Sequence, residues 1–188
     1  MKKLLRWALI LILVGAVLGI SAVGIAYLIF KEDLPDVESL HDVQMQVPLR
    51  VFSEDGKLLG IFGEKRRIPV TVDEMPECLK DAFLAGEDAR FYAHFGLDYQ
   101  GISRALCSQA TTGQKTIRGI TITQQLARNF FLTNEKPFTR KIKEAFLALK
   151  IERELDKDHI LELYLTKIVL GHRAYGVGAA AEVYYGKS

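Results

Sequence analysis

One uninterrupted apolar stretch limits what this chain can fold into more than any other feature. Residues 7–30 contain no charged side chain. As an α-helix, this run would extend about 36 Å, which exceeds the roughly 30 Å hydrocarbon core of a bilayer. It is also longer than the roughly 7–15 apolar residues of a cleaved secretory signal. The sequence therefore predicts an uncleaved transmembrane signal anchor over residues 7–30, after a tail of residues 1–6.

The charges on either side of the apolar run predict its orientation. Lys2, Lys3 and Arg6 precede the run, whereas Lys31 is followed at once by acidic residues. Because cytoplasmic flanks carry the excess of cations, we expect the tail in the cytoplasm and residues 31–188 on the outer side. The formal net charge of +2 and the lack of a basic block give no support for a nucleic-acid partner.

After the apolar run, the pattern changes from a linker to a hairpin and then to helices. Residues 31–48 are polar and include a proline, which is typical of a connecting segment. Residues 49–63 alternate around Asp55-Gly56, which predicts a small β-hairpin, and a further extended piece is expected near residues 67–72. Beyond the hairpin we predict a domain that is all-helical. The helices expected in its second half span residues 99–109, 121–132, 138–155 and 157–167, the last with Asp156 as its N-cap.

The cysteines and histidines offer little chemistry. Cys78 and Cys107 could pair in an oxidising compartment, but two cysteines do not make a disulfide framework. Burial of each as a small hydrophobic residue is the favoured interpretation. The four histidines lack the spacing of an HExxH site, so the sequence predicts no certain metal ligand.

The first candidate for chemistry is the acidic pair Glu87-Asp88, where a predicted apolar helix ends. Acidic residues at a helix C-terminus face the negative end of the macrodipole, which is mildly unfavourable. A carboxylate surrounded by aromatic residues such as Phe91 could accept a proton from a substrate. The alternative is a solvated helix end with an ion pair to Arg90, and this stretch alone favours that alternative.

The second candidate is a cluster of charges on a predicted helix. Arg140 and Lys141 both lie one helical turn before Glu144. Such a cluster is most often a surface ion-pair group that contributes little to stability. However, Ala148 continues the same face and would leave room for a ligand before Glu152, and paired cations suit a pyrophosphate leaving group. Both interpretations stay open on these residues alone.

Four blocks of sequence, in order and spacing, resemble glycosyltransferase family 51, the peptidoglycan transglycosylase domain of class A penicillin-binding proteins. EDARFYAHFG is similar to the family pattern E-D-x-x-F-x-x-H-x-G, and GITITQQLARN is similar to G-x-S-T-I-T-Q-Q-L-x-K-N. RKIKEAFLALKIE matches R-K-x-x-E-x-x-x-A-x-x-x-E, and KDHILELYLTKIVLG with AYGVGAAAEVYYGKS matches the closing blocks. The likeness extends over residues 34–188.

The resemblance implies a fold and a reaction. The fold is mainly α, a lysozyme-like helical domain with a small N-terminal β-hairpin, here partial over residues 49–188. The reaction is polymerisation of lipid II into β-1,4 glycan strands. Glu87 would be the general base that deprotonates the acceptor hydroxyl, and Glu144 would assist departure of pyrophosphate with Arg140 and Lys141. The resemblance leaves room for Mg²⁺ or Mn²⁺ with the pyrophosphate and implies no other cofactor.

The resemblance also implies a substrate groove and a location. Amides in the groove would both donate to and accept from sugar hydroxyls, acetamides and phosphate oxygens. The expected partners are lipid II, the lipid-linked glycan strand, the membrane and other cell-wall synthesis proteins. The expected location is the bacterial inner membrane, with a single pass and the catalytic domain in the periplasm. The residues implied to bind substrate, besides Arg140 and Lys141, are Asp88, Phe91, His94, Thr121, Gln124, Gln125, Arg128, Asn129 and Tyr164.

Several departures from the family pattern qualify the expected activity. Ile120 stands where the family has serine, Arg118 where it has glycine, and Thr166 where it has asparagine. The chain ends at Ser188, where the family continues for several more helices, and the S-x-x-K motif of a transpeptidase domain is absent. We therefore expect a C-terminally truncated domain with reduced stability and activity.

Two other functions stay open on the sequence. A lysozyme-like muramidase or lytic transglycosylase would use Glu87 as an acid on the polymer, but such an enzyme needs no pyrophosphate clamp. A non-catalytic, membrane-tethered protein that binds lipid II or a partner would fit the departures at Ile120 and Thr166.

Overall fold

The computed structural model describes residues 2–41, 49–62, 66–112, 120–132 and 136–187. They fall into two compact units, Met1–Pro35 and Asp36–Ser188. The described part is mostly helical, with a small antiparallel sheet. Its helices and strands are α1 (Lys2–Phe30), β1 (Leu49–Phe52), β2 (Leu58–Phe62), β3 (Arg66–Arg67), α2 (Glu77–Glu87), α3 (Tyr99–Thr112), α4 (Ile122–Phe131), α5 (Pro137–Glu154), α6 (Lys157–Lys167), β4 (Ala174–Tyr175) and α7 (Val177–Tyr185).

The first unit is dominated by one long apolar helix. Helix α1 is continuous, and the stretch Leu9–Asp33 has a mean hydropathy of 2.7. That stretch is long and apolar enough to cross a membrane, and none of it is buried. An apolar surface on every side of a helix suits a lipid environment better than water.

The second unit begins with the predicted hairpin. Strands β1 and β2 pair antiparallel, with Leu49 opposite Phe62. Gly56 in the connecting turn has a φ of +79°, a conformation that glycine adopts without steric cost. The Asp55-Gly56 signal therefore predicted the turn correctly.

Helix α4 lies at the centre of the second unit, and both α5 and α6 pack against it. Ile122 and Leu126 of α4 have no exposed surface, and neither do Leu147 of α5 and Leu161 of α6. Burial of each large aliphatic side chain contributes about 1.5–3 kcal/mol. Residues Val37 and Leu40, from the segment predicted as a linker, are also buried.

The helix predictions are largely confirmed. Helices α3, α4 and α5 lie over the predicted ranges with small differences at their ends, and α6 matches its predicted range. The Asp156 carboxylate accepts a hydrogen bond of 2.7 Å from the backbone N–H of His159, which confirms the predicted N-cap.

Two predictions about the second unit are wrong. The part after the hairpin is not all-helical, because β3 and β4 form a short parallel pair. Residues so far apart in sequence leave no local signal of their pairing. Cys78 and Cys107 are free and exposed rather than buried, because each lies beside the inward-facing stripe of its helix and not on it.

Candidate active site

Glu87 is the last residue of α2 and lies half-buried where α2, α4 and α6 meet. Its Oε2 accepts a hydrogen bond of 3.0 Å from Gln125 Nε2 of α4. Gln125 Oε1 accepts in turn a hydrogen bond of 3.5 Å from the hydroxyl of Tyr164 on α6. The alternative of an ion pair between Glu87 and Arg90 is wrong, because Arg90 pairs with Asp98 at 3.1 Å.

The residue after Glu87 joins two helices inside the domain. Asp88 has a side chain that is 5% exposed, and its two oxygens lie 2.9 and 3.0 Å from Nε2 of His94. The backbone N–H of Ile122, at the start of α4, donates to Asp88 Oδ2 at 3.1 Å. Phe91 is 1% exposed and its ring lies edge-on to His94. Asp88, Phe91 and His94 thus hold the end of α2 against the positive end of α4, and their contact with substrate stays a prediction.

The start of α4 is built from a capping box. Thr121 Oγ1 accepts from the Gln124 N–H, and Gln124 Oε1 accepts from the Thr121 N–H at 3.1 Å. Thr121 Oγ1 also donates to the carbonyl of Gly96 at 2.7 Å. Both side chains are buried, so the two neighbouring glutamines have different tasks. Gln124 caps the helix, whereas Gln125 reaches Glu87.

Tyr164, Glu87 and Arg128 share one electrostatic neighbourhood. Burial and, after it, the negative charge of Glu87 raise the pKa of Tyr164 to about 12, and Arg128 acts in the opposite direction. The Tyr164 hydroxyl therefore keeps its proton at neutral pH. Arg128 and Asn129 are half-buried on α4, one turn beyond Gln125. Their predicted contact with substrate, like that of Tyr164, stays a prediction.

The charge cluster on α5 has the predicted arrangement. Arg140 Nε lies 3.4 Å from Glu144 Oε1, and Lys141 Nζ lies 3.5 Å from Glu144 Oε2. Glu144 is 1% exposed, and within the described part of the chain neither of its carboxylate oxygens has a hydrogen bond. The Lys141 side chain is 52% exposed, so this cluster combines a buried carboxylate with a cation accessible to ligands.

The space for a ligand beside Ala148, which the sequence left open, is filled by protein. Gly96 packs on Ala148 with a φ of +79°, and a Cβ at Gly96 would lie 3.0 Å from the Ala148 backbone. Glu152, the second acid of that face, accepts hydrogen bonds from Thr123 Oγ1 at 2.5 Å and from Lys157 Nζ at 2.7 Å.

Sequence reasoning missed the connection that Lys157 makes. Its ammonium lies 4.3 Å from the centre of the Phe91 ring while it also pairs with Glu152. These contacts join α5, the start of α6 and the segment after α2. The nearness of Glu152 and Lys157 in sequence was an available signal for their pairing.

Two of the three residues that depart from the family pattern, Ile120 and Thr166, lie within the described part of the chain. Ile120 is half-buried and directly precedes the α4 cap. Thr166 is buried and lines, with His159 and Glu162, a cleft of about 290 Å³. Arg118 lies outside the described residues.

Comparison with known proteins assigns a family to this arrangement. The sequence model of the Transglycosylase family matches residues 55–188. The chain is 52% identical to penicillin-binding protein 1A of Vibrio cholerae over 98% of its own length, and 52% identical to that of Escherichia coli over 99%. It is 49% identical to penicillin-binding protein 1A of Pseudomonas aeruginosa over 98% of its length. The chain spans 22% of the length of each of these relatives.

Proposed function

The chain belongs to the transglycosylase family, and on that premise we propose that it is a peptidoglycan glycosyltransferase that polymerises lipid II into β-1,4 glycan strands. The observation that carries the proposal is a pair of carboxylates in contrasting surroundings. Glu87 is half-buried and accepts a hydrogen bond from the Gln125 amide. Glu144 is buried beside the cations of Arg140 and Lys141. Two carboxylates whose surroundings differ in this way can take different roles in one reaction.

Glu87 is proposed as the general base. Gln125 holds its Oε2, and within the described part of the chain Glu87 Oε1 has no hydrogen bond. That oxygen would take the proton from the 4-hydroxyl of the acceptor lipid II. The hydroxyl oxygen then forms a bond to the anomeric carbon of the donor as the bond to pyrophosphate breaks. Attack from the opposite face converts an α-linked donor into a β-linked product.

The cluster around Glu144 is proposed to receive the leaving group. Arg140 and Lys141 would bind the oxygens of the pyrophosphate as negative charge develops on them. Within the described residues, no group of three or more His, Cys, Asp and Glu side chains could hold a metal ion. Glu144 supplies oxygen donors of the kind that Mg²⁺ or Mn²⁺ prefers, so such an ion would be shared with the pyrophosphate and would neutralise part of its charge.

The apolar helix α1 is proposed to keep this site at the membrane surface. Donor and acceptor are both lipid-linked, so anchorage raises the effective substrate concentration without any new contact. The proposed location is the bacterial inner membrane, with the N-terminus inside and residues 31–188 in the periplasm. Other cell-wall synthesis proteins are proposed partners there.

Incubation of the purified full-length chain with labelled lipid II tests the proposal. We expect glycan polymer on a gel with Mg²⁺ or Mn²⁺, and less polymer with a chelator. Glu87→Gln should abolish the polymer. Glu77→Gln, an exposed acid on the same helix, is the matched control and should retain polymerisation. Lipid II binding without polymer would instead indicate a binding protein, and shortening of preformed glycan would indicate a hydrolase.

A further inference from the structure

The side-chain amide of Gln125 lies between a hydrogen-bond acceptor, the Glu87 carboxylate, and a hydrogen-bond donor, the Tyr164 hydroxyl. Its Nε2 donates to Glu87 Oε2 at 3.0 Å, and its Oε1 accepts from Tyr164 at 3.5 Å. If the amide turned over, its oxygen would face the Glu87 carboxylate with no proton between them. Two acceptors in contact repel, so the orientation of this amide decides whether Glu87 is held.

The Tyr164 hydroxyl anchors the amide in the orientation that the Glu87 carboxylate requires. The phenol donates to the amide oxygen in the observed orientation. In the turned orientation the phenol oxygen would accept from the amide NH₂, but the Glu87 carboxylate would face the amide oxygen, so only the observed orientation satisfies both neighbours. Burial, with the Glu87 charge as a second cause, raises the pKa of Tyr164 to about 12, so this donor persists across the physiological range. Tyr164 is 1% exposed, which leaves almost no surface for a ligand.

We infer that Tyr164 is a positioning residue that acts through Gln125. Its hydroxyl orients the amide so that Gln125 Nε2 holds Glu87 Oε2, and Glu87 Oε1 is left to receive the proton of the acceptor hydroxyl. This inference rests on the proposed role of Glu87 as the general base. It gives Tyr164 a task within the protein instead of the substrate contact predicted from the sequence.

Loss of the Tyr164 hydroxyl should change the pH dependence of the reaction. The hydrogen bond from Gln125 favours the charged form of the carboxylate that it contacts, so loss of the Tyr164 hydroxyl should move the acid limb of the kcat profile to higher pH. Among the described residues, Asp88 is next to Glu87 in the chain, and Tyr164 of α6 interacts electrostatically with both Glu87 and Arg128 of α4. Tyr164→Phe leaves the charges of Asp88 and Arg128 in place, so a shift in that variant reports the lost hydroxyl.

Titration of the full-length chain in detergent by ¹³C NMR tests the inference without requiring turnover. The Glu87 carboxyl signal is assigned with Glu87→Gln. We expect its midpoint to lie at higher pH in Tyr164→Phe than in wild type, and at higher pH still in Gln125→Met, which removes the amide. Tyr184→Phe is the matched control, because it also loses a tyrosine hydroxyl bond, to the Leu170 carbonyl, and should leave the midpoint unchanged.

A double variant shows whether Tyr164 acts through Gln125. In the Gln125→Met background, Tyr164→Phe should add no further shift, because the connecting amide is absent. An equal shift in both backgrounds, or no shift in Tyr164→Phe alone, would overturn the inference. With labelled lipid II, Tyr164→Phe should move the acid limb of the kcat profile upward with KM within about twofold. A rise in KM alone would indicate substrate contact, whereas an inactive wild-type chain would contradict only the proposed function.

Discussion

At the scale of single residues, the two cations beside Glu144 have two effects. Arg140 and Lys141 stabilise the buried carboxylate, and they lie where the proposed pyrophosphate would bind. The Glu144 carboxylate is 1% exposed and has no hydrogen bond within the described residues. A buried charge without a partner costs several kcal/mol, and the ion pairs of Glu144 with Arg140 and Lys141 offset part of that cost. A phosphate that approached the cluster would meet cations already held in position by Glu144.

Removal of one cation should therefore impair the proposed reaction strongly. We expect Arg140→Met to lower the polymerisation rate about 100-fold, because a preorganised positive group near the leaving oxygens is lost. Arg153→Met removes an exposed cation from the last turn of the same helix and should change the rate less than about twofold. Gel-based rates with labelled lipid II measure both variants. Equal rates for Arg140→Met and wild type would place the pyrophosphate elsewhere.

Tyr164 should also make stability depend on pH in the alkaline range. Its folded-state pKa is raised to about 12, above the value of about 10 expected in an unfolded chain. Below pH 10 the hydroxyl is protonated in both states, so its contribution to stability is fully present. Between about pH 10 and pH 12 the unfolded state loses the proton first, and stability therefore falls as pH rises.

Urea unfolding between pH 9 and pH 11 measures this effect. We expect the free energy of unfolding to decline less steeply in Tyr164→Phe than in wild type, because the variant lacks the titrating hydroxyl. Tyr99→Phe, at a side chain that is 70% exposed, should keep the wild-type slope. Identical slopes for all three proteins would show that Tyr164 does not titrate differently in the folded state.

At the scale of elements, Gly96 packs so closely against α5 that the contact leaves no room for a side chain at this position. Gly96 combines a φ of +79° with a position where a Cβ would lie 3.0 Å from the Ala148 backbone. Its carbonyl also accepts from Thr121, the cap of α4. One glycine thus fixes the spacing between the segment after α2, the start of α4 and the middle of α5.

Substitution of this glycine should destabilise the second unit. We expect Gly96→Ala to lower the free energy of unfolding by about 2–3 kcal/mol, because it combines backbone strain with a steric clash. Gly86→Ala is the control: no atom lies within 4 Å of its added Cβ, and in the last turn of α2 alanine is favoured over glycine by at most about 0.5–1 kcal/mol. Chemical denaturation compares the two. A stability loss no larger in Gly96→Ala than in Gly86→Ala would show that this packing adapts freely.

Elements defined by local chemistry were predictable from the sequence, and contacts between distant elements were not. The Asp156 cap and the Asp55-Gly56 turn each depend on a few neighbouring residues, and both were predicted. Gly96 fills the space beside Ala148 because two segments that are distant in sequence pack together. The spacing of residues in the sequence does not predict that packing. The bond between Gln125 and Glu87 is of the same kind, since it joins residues from different helices.

At the scale of the whole molecule, an apolar helix and a compact domain occur in one chain. Met1–Pro35 and Asp36–Ser188 are separate compact units, and the first carries a stretch able to cross a membrane. Charge asymmetry around that stretch predicts which side of the membrane the second unit occupies. The two cysteines of the second unit are free and exposed, so they can report its side directly.

Labelling of these cysteines in intact spheroplasts measures the orientation. We expect a membrane-impermeant maleimide to label the wild-type chain without detergent, because Cys78 and Cys107 would face the outer medium. The variant with both cysteines replaced by serine should stay unlabelled. Arg6→Cys in that variant places a single thiol on the tail before α1, and it should react only after detergent opens the membrane. The opposite pattern, with Arg6→Cys labelled first, would reverse the topology and place the second unit away from the lipid-linked substrates of the outer face.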